Sequence, residues 1–87
     1  MEIKKLATAG TLESSDAFIT VEPNENGIEL NLESVVINQF GEEIEALVYS
    51  VLDELDVKNV NISINDRGAV ECVLRARIET AVMRGKE

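Results

Sequence analysis

Between Leu32 and Phe40 the hydrophobic pattern of the chain changes its period. Upstream, apolar and polar residues alternate. Ala17, Ile19 and Val21 share one face of 16–22, and Ile28, Leu30 and Leu32 share one face of 28–33. A period of two marks strands with a single buried face. From about Val36 to Leu55 the spacing becomes three or four, with Phe40, Ile44, Leu47, Val48, Val51 and Leu55 on one side of a helix. Alternation returns at Val60, Ile62 and Ile64. Helical spacing resumes from Ala69 to about Arg84, where Val70, Val73 and Leu74, then Arg77, Ile78, Ala81 and Val82, trace the buried side.

The order β-β-α-β-α restricts the fold to few choices. A helix between the second and third strands makes those strands parallel. Both helices are amphipathic and need a surface to cover. The expected class is therefore α+β: a three-stranded mixed sheet with both helices on one face. Pro23-Asn24-Glu25-Asn26-Gly27 has turn composition, so the first two strands are expected to form an antiparallel hairpin. The third strand is expected beside the first, antiparallel to it. Gly41 weakens the first turn of the first helix, and Glu42, Glu43 and Glu45 are placed near its N-terminal end. Asn65-Asp66-Arg67-Gly68 reads as a turn with Asp66 as a helix N-cap. Residues 2–9 are weakly patterned and read as an arm or a single helical turn.

Charge removes several functions. The net charge is −9, with three Lys/Arg against thirteen Asp/Glu in residues 1–65, and five against four in 66–87. Such a body disfavours nucleic acid and anionic lipid, because neutralising phosphates takes Lys and Arg. It suits a basic protein partner. Cys72 is the only cysteine, so no internal disulfide forms. No apolar run is long enough to span a membrane, and residues 1–10 lack a signal-peptide core. These features together are read as cytoplasmic.

Catalytic groups are scarce. There is no His, so a Ser or Cys nucleophile lacks its usual base, and one Cys makes no zinc site. Glu42/Glu43 and Asp53/Glu54/Asp56 lack calcium-loop spacing and read as solvated helix faces. A Ser–Lys dyad would pair Ser14 with Lys4 or Lys5, on an arm too exposed to lower a lysine pKa far. Arg67, Arg75, Arg77 and Arg84 are the one cationic grouping, and Glu71–Arg75 has the spacing of an ordinary helix ion pair. Cys72 reads as a half-buried packing thiol. No catalytic residue and no metal ligand is assigned. What remains is Glu13-Ser14-Ser15-Asp16. Its ordinary role is a turn whose side chains bond local backbone. Its alternative role is an exposed hydroxyl that another enzyme modifies.

The stretch Ala9-Gly10-Thr11-Leu12-Glu13-Ser14-Ser15-Asp16, with Asp66-Arg67-Gly68-Ala69 and Cys72-Val73-Leu74-Arg75-Ala76-Arg77, resembles the acyl carrier (gamma) subunit family of citrate lyase. The resemblance spans nearly the whole chain, although members of that family often extend further at the C-terminus. It implies one acyl-carrier domain over 1–87, with an arm and modification loop at 1–15 and a β-β-α-β-α core at 16–84. It implies that Ser14 is joined through a phosphodiester to 2'-(5''-phosphoribosyl)-3'-dephospho-CoA, attached by a prosthetic-group transferase. Ser15 is the less favoured hydroxyl, because the family pattern allows Ser or Gly after the modified serine. The thiol of that arm would hold an acetyl or citryl thioester, passed between a transferase (alpha) and a lyase (beta) subunit as citrate is cleaved to acetate and oxaloacetate. The carrier itself would break no bond. Two other readings stay open: the carrier of malonate decarboxylase, and an unmodified docking module with Phe18 as a contact. The Asp-Ser-Leu motif of four-helix acyl carriers is absent, as is the Met-Lys-Met lysine of biotinyl and lipoyl carriers.

Overall fold

A computed structural model describes residues Met1–Glu87. The elements in chain order are β1 (Ala7–Gly10), β2 (Ala17–Glu22), β3 (Ile28–Ser34), α1 (Ile37–Glu54), β4 (Val60–Asp66) and α2 (Glu71–Lys86). The four strands form one mixed sheet in the order β1-β2-β4-β3. Ala7, Ala9, Ala17, Ile19, Val21, Val60, Ile62 and Ile64 point to one face, and the helices cover it with Val48, Val51, Leu52, Leu74, Ile78 and Val82. These residues form one continuous core. The other sheet face carries Thr8, Phe18, Thr20, Asn31, Ser63 and Asn65, with no element laid over it.

The α+β class and the parallel pairing of β3 with β4 match the periodicity, as does the antiparallel pairing of β2 with β4. The sheet has four strands, however, not three. The extra strand is β1, within the segment read as an arm. Its inward residues are alanines, which carry little β propensity, and Ile3, Leu6 and Ala7 happen to be spaced like a helix. The true pattern is Ile3 buried as an anchor, Leu6 exposed, and Ala7 and Ala9 facing α2. The core thus begins at Ile3, ahead of residue 16.

The expected β2–β3 hairpin does not form. Strand β4 lies between them and pairs with both. The Pro23–Gly27 loop does reverse the chain, but it spans the start of β4. The Gly27 carbonyl accepts from the Val60 amide (3.0 Å), and the Gly27 amide donates to Asn59 Oδ1 (2.8 Å). The arrangement puts the most apolar strand in the centre: Val60, Ile62 and Ile64 are at most 2% exposed, whereas Ile28, Leu30 and Leu32 on edge strand β3 are half-buried.

Helix α1 lies within the expected 36–55, whereas α2 starts and ends two residues later than the expected 69–84. α1 begins at Ile37, so the glutamates at 42, 43 and 45 lie beyond its first turn. Its N-cap is Val36, and that of α2 is Val70; neither end has a side-chain cap. A Ser, Asp or Thr at such a position contributes about 1 kcal/mol, so both helices depend on packing to hold their first turns. Asp66 is not the cap of α2; it is the last residue of β4, 1% exposed. Its Oδ1 accepts from the Ala69 amide (2.9 Å) and its Oδ2 from the Ser34 hydroxyl (2.8 Å), so it shapes the connection and joins the ends of β3 and β4. Cys72 is exposed, because the buried stripe of α2 runs through Leu74, Ile78 and Ala81/Val82. Val70, expected on that stripe, is 63% exposed, since the helix has not yet begun there.

Candidate modification site

One end of the sheet gathers the carboxyl ends of β1, β3 and β4, the start of β2, and the first turns of both helices. The loop Thr11–Asp16 crosses this end. It leaves β1 at Gly10, whose φ is 91°. A Cβ there would lie 1.8 Å from the Ala17 carbonyl oxygen and 3.3 Å from Arg77 Cδ. Only glycine permits this approach and this dihedral.

The loop is fixed from its return side. The Asp16 amide donates to the Glu13 carbonyl (3.2 Å), closing a four-residue turn over Glu13-Ser14-Ser15-Asp16. Ser15 is the third residue of that turn and sits in the left-handed region, at φ 65°. Its amide donates to the Arg67 carbonyl (2.8 Å), and the Arg67 amide donates to the Asp16 carbonyl (2.8 Å). These two bonds extend the β2–β4 ladder past Asp66. The resemblance allows Gly after the modified serine, and a left-handed residue here supplies a physical reason for that choice.

Asp16 is the anchor. Its Oδ1 accepts from the Ala17 amide (2.7 Å) and from Arg77 Nε (3.0 Å); its Oδ2 accepts from the Thr11 hydroxyl (2.7 Å) and from an Arg77 terminal nitrogen (3.2 Å). The Thr11 hydroxyl also accepts the Glu13 amide (3.2 Å), which ties the outgoing half of the loop to the same carboxylate. Arg77 above all, then the Thr11 hydroxyl and the Ala17 amide, hold the Asp16 carboxyl far below the usual carboxylate range. Reciprocally, Asp16 raises the Arg77 guanidinium above its ordinary value. A two-pronged pair of this kind fixes orientation as well as distance.

Ser14 stands at the second position of the turn and is exposed. None of the side-chain bonds around it uses its hydroxyl. Ser15 is exposed too, but its backbone is strapped to Arg67. Lys4 and Lys5 lie at the opposite end of β1, where their amides donate to the Gly85 carbonyl (2.9 and 3.2 Å), so no lysine dyad forms at Ser14. The arginines separate as well. Arg75 pairs with Glu54 of α1 at 2.6 Å and with Glu79 at 3.8 Å, in place of the expected Glu71. Arg84 donates to the Thr8 carbonyl (2.8 Å). No group of three or more His, Cys, Asp or Glu is gathered in a way that would hold a metal ion. The turn therefore presents the exposed Ser14 and Ser15 side chains on a backbone held by Asp16, Arg77 and Arg67.

The sequence marks Ser14 and Ser15 as an exposed polar pair but carries little sign of what supports the loop. The Asp16–Arg77 pair joins residues 61 apart. Its only trace in the sequence was an arginine in the otherwise apolar stripe of α2.

Residues 4–85 match the family described as malonate decarboxylase delta subunit. The citrate lyase acyl carrier protein of Clostridium perfringens is 54% identical over 88 residues, covering 100% of this chain and 87% of that protein. The protein of the same name from Latilactobacillus sakei is 47% identical over 85 residues, 98% of this chain and 84% of that one. That of Treponema denticola is 46% identical over 87 residues, 100% and 99%. A crystal structure of a Pseudomonas malonate decarboxylase hetero-tetramer in complex with malonate contains a chain with the same fold, at TM-score 0.80 and 22% identity, covering 97% of this chain and 91% of that chain.

Proposed function

This chain belongs to the family of the malonate decarboxylase delta subunit, among the citrate lyase acyl carrier proteins, and from that membership we propose that it is the non-catalytic acyl carrier subunit of a citrate lyase. The whole of 1–87 serves as one carrier domain in the cytoplasm. Ser14 receives 2'-(5''-phosphoribosyl)-3'-dephospho-CoA from a prosthetic-group transferase. The loaded carrier serves a transferase subunit and a lyase subunit in turn. Relatives at 45–54% identity named for citrate lyase favour citrate over malonate.

The observation that carries this reading is the contrast within one turn: an unbonded, exposed Ser14 hydroxyl on a backbone locked by Asp16, Arg77 and Arg67. A modifying enzyme needs an acceptor that protrudes and keeps its place. When attached, the prosthetic group supplies a thiol at the end of a long arm. The protein's contribution is to tether that arm, which raises the effective concentration of the carried group at each catalytic subunit. The acidic body gives a polyanionic arm little to bind, so the arm stays mobile in the free chain. Narrow, fast-tumbling NMR signals from the arm are expected; an arm packed on the surface would contradict this.

Intact mass decides the assignment. Protein made with the prosthetic-group transferase should gain the mass of the group, and protein made without it should not. Ser15→Ala should still be modified and Ser14→Ala should not. A modified Ser14→Ala protein would sink the site, and no modification of the unaltered chain would sink the carrier reading. Reconstitution with citrate lyase subunits, against malonate decarboxylase subunits, tests the choice of acid.

A further inference from the structure

Between the N-terminal half of α1 and the first turn of α2 lies a cleft of about 380 Å³. Phe40, Ile44, Leu47, Ala69 and Leu74 line it. Val35, Ile37 and Val70, each next in sequence to a lining residue, are 61%, 42% and 63% exposed, and the lining Phe40 is 46% exposed. For a chain of net charge −9 this is a concentrated apolar patch, and such patches on small proteins mark sites of association. Both flanking helices start with a valine in place of a polar cap. Local rules broken together at one place point to a function there.

We propose that this cleft is the docking site for a catalytic subunit of the citrate-cleaving complex, which inserts an apolar side chain flanked by Lys or Arg. The proposal rests on the carrier reading. Three features select that occupant. Glu43 and Glu71 stand at the cleft and no Lys or Arg lines it, so it repels the anionic arm and citrate and attracts a basic flank. A second copy of the chain would bring two bodies of −9 together, which charge opposes. Finally, the cleft is continuous with the modification loop. Gly68 and Ala69 belong to its wall, and the preceding Arg67 is bonded to Ser15 and Asp16. A subunit seated here therefore holds Ser14 at a fixed offset from its own active site.

The test titrates fluorescently labelled holo-chain against purified transferase and lyase subunits assembled without their carrier. Phe40→Ser combined with Val70→Ser should weaken binding on the order of tenfold or more, as loss of an apolar anchor does. Tyr49→Ser, on α1 but outside the cleft, should leave it unchanged. Glu43→Gln with Glu71→Gln should slow association and flatten its dependence on salt. Unchanged binding in the Phe40/Val70 variant, with its far-UV circular dichroism intact, would overturn the proposal. So would sedimentation showing that the same variant abolishes a dimer. Methyl NMR shifts at Ile44 and Leu47 on loading the free chain would also overturn it, in favour of the arm. Intact mass of the same preparations reports separately on the carrier reading: a chain never modified at Ser14 removes that reading, whatever the cleft binds.

Discussion

At one end of β2, Gly10 has the Ala17 carbonyl where a side chain would begin, 1.8 Å from an ideal Cβ; in the loop at the other end, Gly27 has nothing within 4 Å. Their φ values are nearly equal, 91° and 88°. The two loops also resemble each other in being short and polar with a positive-φ glycine at one end, Gly10 just before Thr11 and Gly27 closing the other. They differ in what holds them. The Pro23–Gly27 loop is fastened by Asn24 Nδ2 to its own Gly27 carbonyl, by Asn59 Oδ1 and by the Val60 amide at the start of β4, with no bond to a helix. The Thr11–Asp16 loop is fastened through Asp16 to Arg77 on the last helix, and through Arg67 to the central strand. One loop spans a gap. The other is a mount, and its rigidity suits the acceptor role proposed for Ser14.

The largest contrast should come from the glycines themselves. Gly10→Ala should cost roughly 3 kcal/mol in urea unfolding, because backbone must move to admit a Cβ. Gly27→Ala should cost only about 1 kcal/mol, the penalty of a left-handed dihedral in open space. Equal losses would erase the distinction between mount and span.

Arg77→Met keeps the aliphatic stem and removes the clamp. Amide exchange at Ser15 and Asp16 should speed up, modification of Ser14 should slow, and exchange at Gly27 should not change. The same pair sets a pH dependence. Asp16 titrates lower in the folded chain than its ordinary carboxylate value of about 4. Its stabilising contribution is therefore present above about pH 4 and is lost as pH falls toward the depressed native value. Asp16→Asn should unfold more easily than the unaltered chain at pH 7, and the difference should shrink progressively below pH 4. A gap that stays constant with pH would show that the clamp does not depend on charge.

The smallest effect should be a gain. Ser15→Gly relieves a left-handed serine and should raise stability by about 0.5 kcal/mol, with modification of Ser14 preserved. Were Ser15 the true acceptor, that variant would stay unmodified.

The periodicity of the sequence revealed β2, β3, β4 and both helices, because each has an inner face of Val, Ile or Leu. It missed β1, whose inner face is Ala7 and Ala9: two methyl groups carry too little contrast to register. It also paired β2 with β3. Turn composition reports that a chain reverses, not that its two arms touch, and the intervening strand lies more than thirty residues downstream. At the site, Ser14 and Ser15 were visible as an exposed polar pair. Their supports were not, because a bond from Asp16 to Arg77, or from Asp66 to Ser34, has no local signature. Asp66 was visible as a polar residue at an element boundary, and its burial could be known only once the strands around it were placed.

The strand order also has a consequence for how the chain matures. β4 occupies a slot between two strands that are made before it, and that slot must stay open until residues 60–66 arrive. A premature β2–β3 hairpin, the nearest pairing in sequence, would close the slot and has to come apart before the native sheet can form. α2 is made later still, and it brings Arg77 to the Thr11–Asp16 loop. On a ribosome, then, the Ser14 turn emerges before β4 and α2 and becomes rigid only after both have arrived. A modifying enzyme that recognises the rigid form would load only chains that have finished folding.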